Sequence, residues 1–219
     1  MKLKTIIIGK KSNLSNHLID KLNNATVISS RDIKSDVNIL SKYKNKEINL
    51  IFNNFQPATK LNVMKNSEEF TMNCIGITSK VLDYCIDNNI NINKIIYSST
   101  AAVYGDNKFC VETDDLKPSS LHASLKIANE NLIEKFCVNN KIDYTITRIF
   151  NMYGGNDEFS IISKIFLTIK TDKKLTIVNN GSSIRDFIHV QDVADIYRKL
   201  LDTKNVQVLN IGTGIGKSI

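Results

Sequence analysis

The apolar, β-branched run Leu3–Ile8 stops dead at Gly9, and the next apolar residues, Leu14, Leu18, Ile19 and Leu22, return at helical spacing. Strand, sharp turn and helix follow one another with no slack. The alternation then recurs. Strands are expected over residues 26–30, 49–53, 144–148, 175–178 and 206–211, and another ends in Ile95, Ile96 and Tyr97. Helical patterns lie between them. The longest covers residues 62–87 through Met64, Phe70, Ile75, Val81, Leu82 and Ile86; others run over 120–139, through Ile161, Ile165 and Ile169, and from near Val190. Strands separated by helices build a parallel sheet covered on both faces.

The expected fold is therefore α/β, a Rossmann-type doubly wound parallel sheet, with a smaller and incomplete C-terminal substrate-binding portion. The division falls at residues 1–150 and 151–219. A chain of 219 residues with 42% hydrophobic residues can bury a sizeable core. The formal charge of +7 suits anionic ligands such as phosphates, or reflects a Lys- and Asn-rich composition alone. No block of Lys and Arg suggests a nucleic-acid groove, and no apolar run reaches the roughly 18 residues of a membrane span. Cys74, Cys85, Cys110 and Cys137 are too scattered for paired-cysteine chemistry, which points to reduced thiols and a cytoplasmic home.

In open α/β sheets ligands bind beyond the C-terminal strand ends. At the first such end Gly9, Ser12 and Ser15 take the places of a glycine-rich turn; glycines there allow positive φ and a close approach to a pyrophosphate, and serines offer hydroxyl donors in their stead. The second strand tip carries Ser29, Ser30 and Arg31 in place of an acid that would accept ribose hydroxyls, so Arg31 is either a partner for a 2′-phosphate or an exposed loop charge. After Tyr97 come Ser98, Ser99 and Thr100, and Pro118, Ser119 and Ser120 open a helix on which His122 and Lys126 stand four residues apart, on one face.

YSSTAAVYG followed by HASLK resembles the extended short-chain dehydrogenase/reductases, the NAD-dependent epimerase/dehydratase group that remodels nucleotide sugars. The resemblance implies that Thr100 hydrogen-bonds a sugar hydroxyl and that Lys126 is the lysine of Y-x-x-x-K, which binds the nicotinamide ribose and lowers the tyrosine pKa. His122 stands where that tyrosine belongs. Asn73 and Gly76 match N-x-x-G, placing Asn73 in the catalytic neighbourhood. Asn53 ends a strand along the cofactor, with Phe55 and Gln56 in place of small residues. RIFNMYGG implies that Phe150 reaches the nicotinamide and Asn151 the sugar. GSSIRDFIHVQDVADIY is the strongest match, and implies that Arg185 clamps the diphosphate, with Asp186 and Asp192 holding the turn and capping the next helix.

The implied activity is hydride transfer at a sugar ring carbon, with NAD or NADP as cofactor, a nucleotide-diphosphate sugar as substrate and a homodimer built on the two long helices. Family members usually continue past the point where this chain stops, so a truncated or unusually short form is expected. The competing expectation is a catalytically impaired paralogue that binds a nucleotide sugar or serves as an assembly partner.

Overall fold

The computed structural model describes residues 3–54, 67–171 and 174–219. Phe55, Gln56, Met64 and the start of the helix expected from residue 62 lie outside them. In chain order the regular elements are β1 Lys4–Ile8, α1 Asn13–Lys21, β2 Ala25–Ile28, α2 Ser30–Ser35, β3 Glu47–Phe52, α3 Ser67–Thr71, α4 Ile77–Asp87, β4 Asn91–Thr100, α5 Leu121–Asn140, β5 Asp143–Ile149, β6 Asn151–Tyr153, α6 Ile161–Thr171, β7 Ile184–His189, α7 Val190–Leu200, β8 Val208–Ile211 and β9 Gly216–Ser218.

Six strands form one parallel sheet in the order β2-β1-β3-β4-β5-β8. β1 pairs with β2 on one side and β3 on the other, so the order reverses direction there, and the crevice at the C-terminal ends of β1 and β3 is the switch point where such sheets take ligands. Period-two alternation splits the core between the two faces. Ile6, Ile8, Leu50, Phe52, Ile95 and Tyr97 pack with Ile33 of α2, with Val81 and Leu82 of α4 and with Ile133 of α5. Ile7, Ile51 and Ile96 pack with Leu14 and Leu18 of α1 and with Val193 and Tyr197 of α7. Each strand feeds both faces, which is why the strands read as unbroken apolar runs.

Several boundaries differ from expectation. α3 and α4 are joined by one π-helical turn, Met72–Gly76, an inserted residue of the kind that gathers at functional sites. Leu175 to Ile177 forms no strand, and Val178–Gly181 is a 3₁₀ turn, so the β-branched content of this run does not by itself make a strand. His189, not Asp192, caps α7, its Nδ1 accepting from Gln191 N–H at 3.3 Å. The smaller second sheet, β6-β7-β9, has β6 parallel and β9 antiparallel to β7.

Candidate active site

At the switch point Gly9 has φ +128°, and a Cβ there would lie 2.2 Å from the Asn53 carbonyl oxygen, so only glycine fits. The two serines are knitted to the next strand. Asn53 Nδ2 donates to Ser12 Oγ at 2.8 Å and to Ser15 Oγ at 2.9 Å, and Ser15 Oγ donates to the Gly9 carbonyl at 2.8 Å. Ser15 is fully buried and its one hydrogen is used inside the turn, so it braces the loop and does not face a phosphate, contrary to expectation. Ser12 is the N-cap residue of α1 but caps none of its N–H groups, which leaves the helix N-terminus open to an anion. Asn13 ties this loop to the β6 exit, donating to the Gly154 carbonyl at 2.8 Å and accepting from Asn156 N–H at 3.0 Å.

Ser29 caps α2 by accepting from Arg31 N–H, and the Arg31 side chain is exposed beside the β2 tip. Phe150 lies between β5 and β6, its N–H bound to the Ile211 carbonyl at 2.9 Å. Asn151 is exposed and donates to the Asp186 carbonyl at 3.1 Å. Asp186 in turn holds the Gly212–Gly214 turn through Thr213 N–H, Thr213 Oγ1 and Gly214 N–H. Arg185 is exposed on β7 and donates to its neighbour's carbonyl, Ile184 O at 2.8 Å, while Lys217 faces it across the β7–β9 ladder.

The second cluster forms under the end of β4. Ser120 caps α5 by accepting from Ala123 N–H, which starts the helix where it presents His122, Lys126 and Asn129 toward the strand. Lys126 is 9% exposed, donates to the Ser98 carbonyl at 2.7 Å, and rests over the Tyr97 ring with Nζ 5.0 Å from its centroid. Burial pushes its pKa down to about 8, against weaker upward pulls from Cys74 and Glu130. Burial, then the nearby Lys126 charge, pushes His122 down to about 4, and its Nε2 is buried. His122, Lys126, Asn54, Cys74, Tyr97, Leu125 and Asn129 line one small pocket. Asn54 and Asn129 both donate to the Cys74 carbonyl, and Asn54 also to that of Asn73, so Asn73 lies behind the pocket lining and anchors Asn54 through its backbone. Thr100 ends β4 two residues past Ser98, where its Oγ1 accepts from Ala102 N–H at 3.2 Å.

Adjacent residues of one strand end join the two clusters: Asn53 reaches the serine turn and Asn54 reaches the π-helical turn. Arg185 and Asn151 do not line the pocket; they sit on the second sheet. Sequence reasoning passed over a buried support. Glu130, one turn beyond Lys126, accepts from Ser99 Oγ and from Arg148 Nη2 at 2.9 Å. Arg148 also donates to Tyr104 Oη and to the Glu112 carbonyl, and Tyr104 donates to Asn210 Oδ1 at 2.7 Å. A charged residue interrupting the apolar strand YTITRIF was the available signal, since such a charge must be paired when buried.

A parallel sheet with a glycine turn at its switch point and a lysine buried under the adjoining strand end defines the doubly wound α/β class of which dinucleotide-dependent enzymes are a part. The chain belongs to the NAD dependent epimerase/dehydratase family, whose pattern matches residues 5–212. It is 25% identical over 230 residues to the ADP-L-glycero-D-manno-heptose-6-epimerase of Brachyspira hyodysenteriae, covering 97% of this chain and 69% of that protein. In two other curated relatives the match spans 38% and 53% of their length. Among solved structures, the UDP-N-acetylglucosamine 4-epimerase of Methanobrevibacter ruminantium M1, in complex with UDP-N-acetylmuramic acid, has the same fold with a TM-score of 0.87 at 23% identity, covering 100% of this chain and 79% of that one. The UDP-glucuronic acid 4-epimerase of Bacillus cereus, bound to UDP-glucuronic acid and NAD, gives 0.83 at 23% identity, with 99% and 80% covered. Among the described residues no helix is long and apolar enough to cross a membrane.

Proposed function

We propose that this chain is an enzyme that moves a hydride at a ring carbon of a nucleotide-diphosphate sugar with NAD or NADP. The observation that carries the reading is Lys126, buried beneath the C-terminal end of β4 with no ion pair among the described residues, one helical turn from His122. A scaffold has no use for that burial, which costs several kcal/mol for a charged group.

The residues fit the cofactor. Gly9 leaves the close backbone approach that a pyrophosphate needs, Ser12 and the uncapped N-terminus of α1 supply donors, Asn53 holds the turn in shape, and Arg31 stands at the strand tip for a 2′-phosphate. Bound there, the nicotinamide supplies the acceptor and the later donor of a hydride. Phe150 sits at the strand end on the nicotinamide side. Thr100 holds the sugar hydroxyl, Asn73 steadies Asn54 through its carbonyl, Asn151 meets the sugar, and Arg185 clamps the diphosphate with its planar fork. The β6–β7–β9 sheet, within residues 151–219, is the start of the substrate-binding portion.

A second reading, a nucleotide-sugar binder without turnover, is favoured by the imidazole at position 122, whose pKa of about 4 makes it a poor base. The two readings part on one measurement: deuterium incorporation, from deuterated cofactor or from solvent, into UDP-glucose, UDP-N-acetylglucosamine and dTDP-glucose, read by mass spectrometry. Incorporation is expected. None with any of the three, despite binding, would select the second reading.

A further inference from the structure

Two nitrogen groups line the small pocket under the end of β4, and the fold has treated them differently. Lys126 Nζ spends one hydrogen on the Ser98 carbonyl, and among the described residues it forms no ion pair. The groups that face it are Cys74 from the π-helical turn, Tyr97 from β4, and His122 and Glu130 from its own helix. None supplies a dedicated countercharge. Burial raises the Cys74 thiol and pushes the Tyr97 phenol well up, so both stay neutral, and Glu130 is committed to Ser99 and Arg148. An ammonium ion so placed is poorly solvated, and loss of its proton is correspondingly easy, which is the sense of its fall to about 8. The imidazole at about 4 stays neutral near pH 7, where it holds a proton about 10³-fold too weakly to act as the resting base.

We propose that Lys126 is the proton carrier of this site: its uncharged amine takes the sugar hydroxyl proton that a tyrosine would take, while His122 is a neutral, hydrogen-bonding wall. The proposal rests on the hydride-transfer reading above. The step balances. The hydroxyl O–H bond breaks toward the Nζ lone pair to give an ammonium, the electron pair of the C–H bond leaves as hydride to an oxidised nicotinamide, and the C–O bond becomes C=O.

The first test needs no turnover. In protein labelled with ¹⁵N-lysine, the Lys126 amine signal, identified by its loss in Lys126→Arg, is expected to titrate with a midpoint near 8; a midpoint above about 10, the ordinary lysine range, overturns the proposal. The second follows nicotinamide reduction after NAD-loaded protein is mixed with UDP-glucose between pH 6 and 10. The rate is expected to rise about tenfold per unit up to pH 8, and His122→Ala to keep that midpoint while lowering the rate. Lys126→Arg keeps a cation and donors but cannot give up its proton, and is expected to lose about 10²-fold or more in rate at saturating NAD. Wild-type rates in Lys126→Arg, or a pH limb that disappears in His122→Ala, would overturn the assignment. If the native protein binds NAD and reduces none, the hydride-transfer reading falls, and the amine midpoint alone decides whether Lys126 is fit to carry a proton.

Discussion

Lys94 and Lys126 are buried at opposite ends of β4, and the fold answers their charges in opposite ways. Lys94 is 1% exposed and makes a 2.7 Å ion pair with Asp143 of β5, with a further bond to the Thr203 carbonyl beyond α7. Asp143 also accepts from Asn205 N–H, so one carboxylate fastens β4, β5 and the approach to β8 at the N-terminal edge of the sheet. Lys126, at the C-terminal edge, has a carbonyl and an aromatic face and, among the described residues, no ion pair. A buried cation with its own anion is a clasp. One without is held in a state that a ligand or a proton can change. The same contrast sorts the arginines: Arg148 is closed by Glu130, whereas Arg185 and Arg31 are exposed with no described carboxylate partner.

The contrast breaks first in stability. Asp143→Asn should leave the Lys94 charge buried without its partner and cost about 3 kcal/mol, the low end for breaking a buried pair because Asp143 retains some exposure. Lys126→Met should do the reverse, because it removes an unpaired charge. The sign follows from linkage. The Lys126 pKa is about 8 folded and about 10.4 unfolded, so between those values the unfolded chain binds more protons and stability rises with pH. Below pH 8 the full penalty stands, roughly 3 kcal/mol. Lys126→Met is therefore expected to exceed the native protein in urea midpoint at pH 7, with the gap closing by pH 10.5. A destabilised Lys126→Met at pH 7 would show that the two lysines are clasps alike.

Replacing His122 by tyrosine sharpens the same comparison. Beside the Lys126 charge a tyrosine would have its pKa lowered, and a tyrosinate reaches further than an imidazole. His122→Tyr is expected to keep or raise hydride transfer, measured as deuterium incorporation into UDP-glucose. A loss of about 10²-fold would show that the pocket has been reshaped around the imidazole.

The sheet was legible because buried parallel strands read as apolar runs: KTIII, INLIF and KIIYSS each declare themselves, and the helices between them fix the parallel order. His122 and Lys126 were legible because four residues on a helix are one turn. What escaped were partnerships between residues far apart in sequence. Nothing local says that Asn53 will hold Ser12 and Ser15, which are 41 and 38 residues away, or that Ser15 will turn inward and brace the loop. The buried charges did leave a trace, since Lys94 and Arg148 each interrupt a strand; their anions, Asp143 and Glu130, lie 49 and 18 residues off and were found only in space. The strand expected at residues 175–178 did not form, because local β propensity is a weak guide without the pairing that context supplies.

Among the open cations, Arg185 should matter to a ligand and hardly at all to the fold. It is exposed and forms no described ion pair, so Arg185→Ala is expected to leave the urea midpoint nearly unchanged. Binding of a nucleotide-diphosphate sugar should weaken by about 1.5 to 3 kcal/mol, the scale of a charge-assisted hydrogen bond. Calorimetric titration with UDP-glucose and dTDP-glucose reads it. Unchanged affinity for whichever sugar binds best would remove Arg185 from the site.

Arg31 gives the smallest effect and the narrowest test. It stands in the first turn of α2 beside the β2 tip, where Ser29 uses its hydroxyl to cap the helix and the first acid, Asp32, comes only after Arg31 in the same turn. A 2′-phosphate there would meet the guanidinium, set against the Asp32 carboxylate of the same turn, whereas an unphosphorylated ribose would find no acid at the strand tip itself. The exposure of the site limits the gain, because solvent and salt screen an arginine at the surface. NADPH is accordingly expected to bind at least as tightly as NADH, with Arg31→Ala removing about 1 kcal/mol from NADPH alone and the difference shrinking as salt rises. Fluorescence titration of both reduced forms at two ionic strengths measures this. A clear preference for NADH, or an NADPH affinity indifferent to Arg31→Ala, would place Arg31 with the solvated surface charges and leave Lys126 and Arg185 as the cations reserved for ligands.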